Sequence, residues 1–210
     1  MNKSKLTTVV VSILGLVVLG AALFFFLRKD PYVATAREVT VGVELLGREY
    51  SASGMTFGAM ITQTEISKRN FDSLLLKLPA PSSDNDREKE KLIKEYILSA
   101  SNVAYTLGRH LNAHMQLEIA QKNTSSASDT SVCGSNYASF AMTACLLNVQ
   151  GRQLEAFARV DSARTVKRTA ESDKKSALSK FQSARQNIDK AGYDVDVKNI
   201  NVISQLERNL

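Results

Sequence analysis

Two histidines and two cysteines are the side chains best suited to chemistry, and their spacing says what that chemistry could be. His110 and His114 stand one helical turn apart in His110-Leu-Asn-Ala-His114-Met-Gln-Leu-Glu118, so on a helix both imidazoles and the Glu118 carboxylate share one side. A histidine pair at that spacing can chelate zinc or copper. A helical wheel puts His114 and Glu118 near the centre of the apolar stripe of Ile93, Tyr96, Ala100, Leu107 and Leu111, with His110 at its edge. The same placement suits a plain hydrogen-bonded His114–Glu118 contact that satisfies two polar groups in a core.

Cys133 and Cys145 are the only cysteines. In an oxidising compartment such a pair is usually bridged, which stabilises by about 3 kcal/mol in the chain-entropy model. Geometry sets a condition. If the following helix begins at Asn136, Cys145 lies about 13 Å along it, while the residues from Cys133 to Asn136 span at most about 10 Å. A disulfide therefore asks the helix to start nearer Ser139 or the loop to fold back; two free thiols are the alternative. In a third reading an antiparallel hairpin brings Cys145 to the depth of His114, and His110, His114, Glu118 and Cys145 become a metal-ligand set. No C-x-x-C or H-E-x-x-H spacing fixes such a site, so neither a metal nor any other cofactor is assigned. No serine stands in a nucleophile elbow, no glycine-rich phosphate loop is present, and neither histidine has an evident nucleophile. The expectation is a protein that is not an enzyme.

The elements that must position these residues read as long helices. From about Asp84 to Lys122, apolar residues at Leu92, Ile93, Tyr96, Ile97, Ala100, Val103, Ala104, Leu107, Leu111 and Met115 keep one helical stripe. Pro79 and Pro81 precede it, Ser82, Ser83 and Asp84 offer caps, and the polar run after Asn123 ends it. A second helix runs from Asn136–Ser139 to Ala191, before Gly192. Phe140, Ala144, Leu147, Leu154, Phe157, Ala158, Ala177, Leu178, Phe181, Ala184 and Ile188 are expected on its buried side. Residues 54–78 predict a third helix, with Gly54 and Gly58 offering a close crossing. Val39 to Leu45 alternate as a strand would, yet Val39, Val43, Leu46 and Tyr50 fit a helix, which is preferred.

The chain opens on a different solvent. Leu6 to Leu27 carries no charge and no proline, and as a helix it reaches about 33 Å, enough for a bilayer core of about 30 Å. Lys3 and Lys5 flank it on one side, Arg28 and Lys29 on the other, at headgroup level. A cleaved signal peptide would have a shorter apolar core and an earlier cleavage site than Ala34-Thr35-Ala36. The segment reads as an uncleaved anchor.

The fold expectation is mainly α: a transmembrane helix, then an elongated antiparallel bundle of coiled-coil character. The divisions are 1–5 tail, 6–27 anchor, 28–53 juxtamembrane segment, 54–192 bundle with loop 123–135, and 193–210 a tail or short helix. The alternative is α+β, with a two-stranded element from 39–45 and 193–198.

Charge argues against nucleic acid. Lys and Arg total 27 against 21 acids, but four of those cations flank the apolar segment. The remainder is close to neutral and lacks the concentrated basic surface that nucleic acid needs. A local basic excess lies on the middle of the second long helix, where large apolar residues are sparse. Arg159, Arg164, Lys167, Arg168, Lys174 and Lys175 are therefore the candidate docking surface. The functional expectation is a single-pass membrane protein acting by contact, as a scaffold, adaptor or subunit of a cell-envelope complex. Its partners are the membrane and other envelope proteins or further copies of itself. The cysteine pair places the soluble part outside the cytoplasm. A sensory or ligand-binding module built on His110, His114 and Glu118 is the alternative, and a membrane-tethered metal-binding protein the third reading.

Overall fold

The first three helices begin where the sequence supplies a cap. The computed structural model describes residues 30–50, 54–131, 133, 139–193 and 206, and these hold four α-helices and no strand: α1 Pro31–Tyr50, α2 Phe57–Lys77, α3 Asp84–Ala127 and α4 Ser139–Lys190. Asp30 caps α1 by accepting the Tyr32 amide at 2.9 Å, and Pro31 takes the first helical position, where its missing N–H costs nothing. Thr56 accepts from Ala59 N at the start of α2, and Ser83 from Asp86 N at the start of α3. Leu78 is forced extended before Pro79 and ends α2. Gly192, at φ +76°, closes α4 in a Schellman turn: Tyr193 N donates to Ile188 O and Gly192 N to Asp189 O. The side chains of Tyr193 and Ile188 are both buried at that turn.

Side-chain contacts give the directions. Lys89 pairs with Asp30 at 2.7 Å and Tyr96 meets Thr40 at 3.0 Å, so α1 runs parallel to α3. Phe57 stacks on His114 with ring centroids 5.1 Å apart, and Ser101 donates to Asp72, so α2 runs against it. Tyr96 stacks on Phe181 and Arg109 pairs with Asp173, so α4 is antiparallel to α3. The result is an up-down-up-down bundle. Its core joins Tyr32, Ala36, Val39, Val43 and Leu46 of α1 to Phe71 and Leu74 of α2, to the stripe from Ile93 to Leu111 on α3, and to Ala177–Ile188 on α4.

Two close crossings tighten it. A Cβ on Gly42 would lie 2.7 Å from the Phe71 ring, and one on Gly108 would lie 2.6 Å from Thr64 Oγ1. Glycine is needed at both places for the helices to touch. The crossing expected at Gly54 and Gly58 is absent: nothing lies within 4 Å of a Cβ built on either.

Several boundaries differ from the sequence expectation. Within segment 28–53, Pro31–Tyr50 is a helix whose Tyr32, Ala36, Val39, Val43, Leu46 and Tyr50 belong to the core, so the bundle begins earlier than residue 54. Residues 39–45 are helical, which removes the α+β alternative at that strand, while 194–198 lie outside the described residues. α3 continues past Lys122 to Ala127, because Thr124 returns its hydroxyl to Ala120 O within the helix. The proposed anchor, 6–27, also lies outside the described residues; among those described, no helix is long and apolar enough to cross a membrane.

One asymmetry matters later. α4 has 52 residues and α3 has 44. The Tyr96–Phe181 and Arg109–Asp173 contacts set Ala127 opposite roughly residue 154, so about 15 residues of α4 continue past the end of its partner.

Candidate functional site

The two histidines sit on α3 where its cover runs out. His110 is fully buried, and both ring nitrogens lack a hydrogen-bond partner among the described residues. Burial, with the Lys174 and Lys167 charges of α4 beside it, lowers its pKa to about 4, so it is neutral at pH 7. His114 is only half-buried: it stacks on Phe57, the first residue of α2. Its pKa is lowered too, first by burial and then by Lys167. Glu118 turns to Lys122, accepting from its Nζ at 2.8 Å, and that bond above all holds its carboxyl below the usual range. The expected order of burial is thus reversed. Angle on the wheel favoured His114, but α2 begins at Phe57, opposite His114, so among the described helices the later turns of α3 have only α4 beside them.

Cys133 and Cys145 form a disulfide, with Cα atoms 5.8 Å apart. α4 begins at Ser139, the start that the bridge asks for. Cys133, six residues past the end of α3, therefore lies against the overhanging start of α4. That arrangement separates the third reading's ligands. His114 lies beside Lys167, and Cys145 is about 33 Å further along α4 by helical rise. Among the described residues no three of His, Cys, Asp and Glu are grouped to hold a metal.

The basic surface on α4 is divided. Arg159, Arg164, Arg168 and Lys175 are exposed and Lys167 is half-buried. Arg159 pairs with Glu155, Arg164 with Asp161 and Lys175 with Glu171, all within the helix. Lys174 does not belong with them: it is 2% exposed, and its Nζ donates to Leu206 O at 3.2 Å. It sits one turn from Ala170 and Ala177 on the side of α4 that faces the core. Asp173 reaches across to Arg109 at 3.0 Å, and Arg109 lies over the Tyr105 ring.

A surface groove of about 740 Å³ runs between α3 and α4 past Leu98, Asn102, Lys180 and Ser183. A smaller one of about 160 Å³ lies between α2 and α3 at Thr64, Tyr105 and Gly108. Neither is lined by His110, His114 or Glu118.

The first half of α4 reverses its expected orientation. Phe140, Ala144, Leu147, Leu154, Phe157 and Ala158 are exposed, and Val149, Ala156 and Val160 are the buried residues. This part of the helix carries two apolar faces, and periodicity alone does not say which one meets α3 and its loop. Comparison with known proteins finds no family model, no curated protein and no solved structure that matches this chain.

Proposed function

We propose that this chain is a single-pass membrane protein, anchored by Leu6–Leu27, whose helical bundle acts by contact as a scaffold, adaptor or subunit of a cell-envelope complex. The observation that carries the reading is the join between the apolar segment and the bundle. Only Arg28 and Lys29 separate Leu27 from the Asp30 cap, and core packing begins at Tyr32. A bundle attached that closely stands directly on its anchor, and its long helices carry the far end away from the bilayer. The disulfide supports a place outside the cytoplasm, where such bridges persist. Arg159, Arg164, Arg168 and Lys175 offer an exposed, mixed-charge face for a protein partner.

Fractionation tests the anchor. The full chain should stay with membranes through alkaline carbonate extraction, and deletion of residues 6–27 should release it. Recovery of the intact chain in the soluble fraction would sink the reading. An impermeant thiol reagent on intact cells should label Cys133 and Cys145 only after reduction; labelling that needs lysis and no reductant would place the bundle in the cytoplasm.

A further inference from the structure

The exposed face of the first half of α4 has a regular spacing. Phe140, Leu147 and Leu154 repeat every seven residues, and Ala144, Gly151 and Ala158 repeat every seven between them. The 4-3 alternation is that of a coiled-coil seam. Every one of the six is exposed, Phe140 at 85%, Leu154 at 71% and Leu147 at 63%, and a Cβ built on Gly151 meets nothing within 4 Å. Val149 and Ala156, which are buried, lie on the opposite side of the helix. A helix that is apolar on two opposite faces needs a partner on each. Among the described residues, this stretch has one.

We propose that a second copy of this chain occupies the seam, the two α4 helices pairing side by side. The proposal rests on the reading of the bundle as a domain that acts by contact, and it names the partner. Three observations select a second copy.

The first is charge. Residues 139–151 carry none, and Glu155 is the one charge at the positions flanking the seam between Phe140 and Ala158. Like residues brought face to face there meet no repulsion, and no basic or acidic pattern calls for a complementary protein.

The second is area. The exposed parts of Phe140, Leu147, Leu154 and the neighbouring Phe157 come to about 500 Å² on each copy, so pairing removes about 1,000 Å² before other flanking atoms are counted. That reaches the area of about 1,000 Å² at which a biological interface begins. The small residues between the large ones let the two helices approach closely.

The third is position. Asp30, where the first 29 residues join the bundle, pairs with Lys89 beside the last turns of α4. Ala158 is about 50 Å from that end by helical rise, and Phe140 about 75 Å. An amino-terminal segment embedded in a bilayer is at the wrong end to cover the seam, and so is the lipid around it. Copies anchored in one membrane stand in the same direction, which sets Leu147 against Leu147 and Leu154 against Leu154.

Photo-crosslinking of the full chain in its membrane tests the pairing without disturbing the disulfide. p-Benzoylphenylalanine in place of Leu147 or Leu154 should give a covalent product of twice the chain mass that contains only this chain. The same probe in place of Leu76, exposed at 90% on α2, should give none. Leu147→Lys combined with Leu154→Lys should abolish the product formed from a probe at Phe140 and leave the helical circular dichroism spectrum of the folded chain unchanged. A product joined to a different protein would overturn self-pairing and leave the contact reading standing. No product, or one joined to lipid, at both seam positions would overturn the inference, while carbonate extraction separately decides the anchor.

Discussion

Replacing His110 with leucine should flatten the acid sensitivity of this bundle. His110 is buried against α4 with both ring nitrogens unpartnered among the described residues, and its pKa is lowered to about 4. The unfolded chain holds this histidine near 6.5 and binds its proton first. Stability is therefore fully present above pH 6.5 and falls as pH drops through the window from 6.5 to about 4. Integrating that difference gives a loss of about 2 kcal/mol at pH 5 and about 3 kcal/mol at pH 4. Lys174 and Lys167 disfavour the imidazolium and Glu171 favours it, so the value already contains the surrounding charges. Leucine has no proton to gain and fills a similar space. The variant should be as stable as the parent at pH 7.5, or more so, because no desolvated nitrogen remains. Urea unfolding of the full chain in mild detergent, followed by circular dichroism from pH 7.5 to 5, gives the comparison. His114 and Asp72, whose pKa values are also lowered by causes that do not include His110, titrate in both proteins and cancel in the difference. Parallel stability curves for parent and variant would refute the neutral, buried imidazole.

Other substitutions probe the packing and the bridge. Leu107→Asp puts an unpaired charge at a site with no exposure and should cost about 3–5 kcal/mol; an unchanged thermal midpoint would disprove the α3 register. Gly108→Ala should destabilise by about 1–3 kcal/mol despite alanine's better helix propensity, because its Cβ would meet Thr64 Oγ1. Adding Thr64→Ala should recover most of that loss in denaturant titrations, and no recovery would show that the strain lies elsewhere. Replacing Cys133 and Cys145 by serine should lower hydrogen-exchange protection of residues 140–150 by about 100-fold, the equivalent of about 3 kcal/mol, and leave amides around Leu107 unchanged. A uniform loss across the bundle would mean the bridge supports the whole fold. Asp173→Asn removes an exposed pair with Arg109 and should change stability by less than about 1 kcal/mol.

The helices themselves were legible because local physics decides them. Ser83 and its following acids start α3, Gly192 stops α4, and one stripe from Ile93 to Leu111 could only be a core. α1 was legible less securely: its valines alternate as a strand would, and only packing against Phe71 and Tyr96 makes the helical face the buried one. The close crossings were misplaced, since a glycine's value depends on what its missing Cβ would have struck.

By itself, the sequence determined an apolar segment of bilayer length, the helical class, and the start of α3, because capping, periodicity and hydrophobic length act within a few neighbouring residues. Only the tertiary structure decided burial along those stripes. His110 is sealed and His114 is not because α2 begins at Phe57. Lys174 is drawn into the interior by the face of α4 on which it sits. Of the two apolar faces on α4, the loop tied at Cys145 and the end of α3 accompany only the one with Val149 and Ala156. Periodicity gives the direction of a side chain, but its exposure depends on how far the neighbouring helices extend, and the two long helices differ in length.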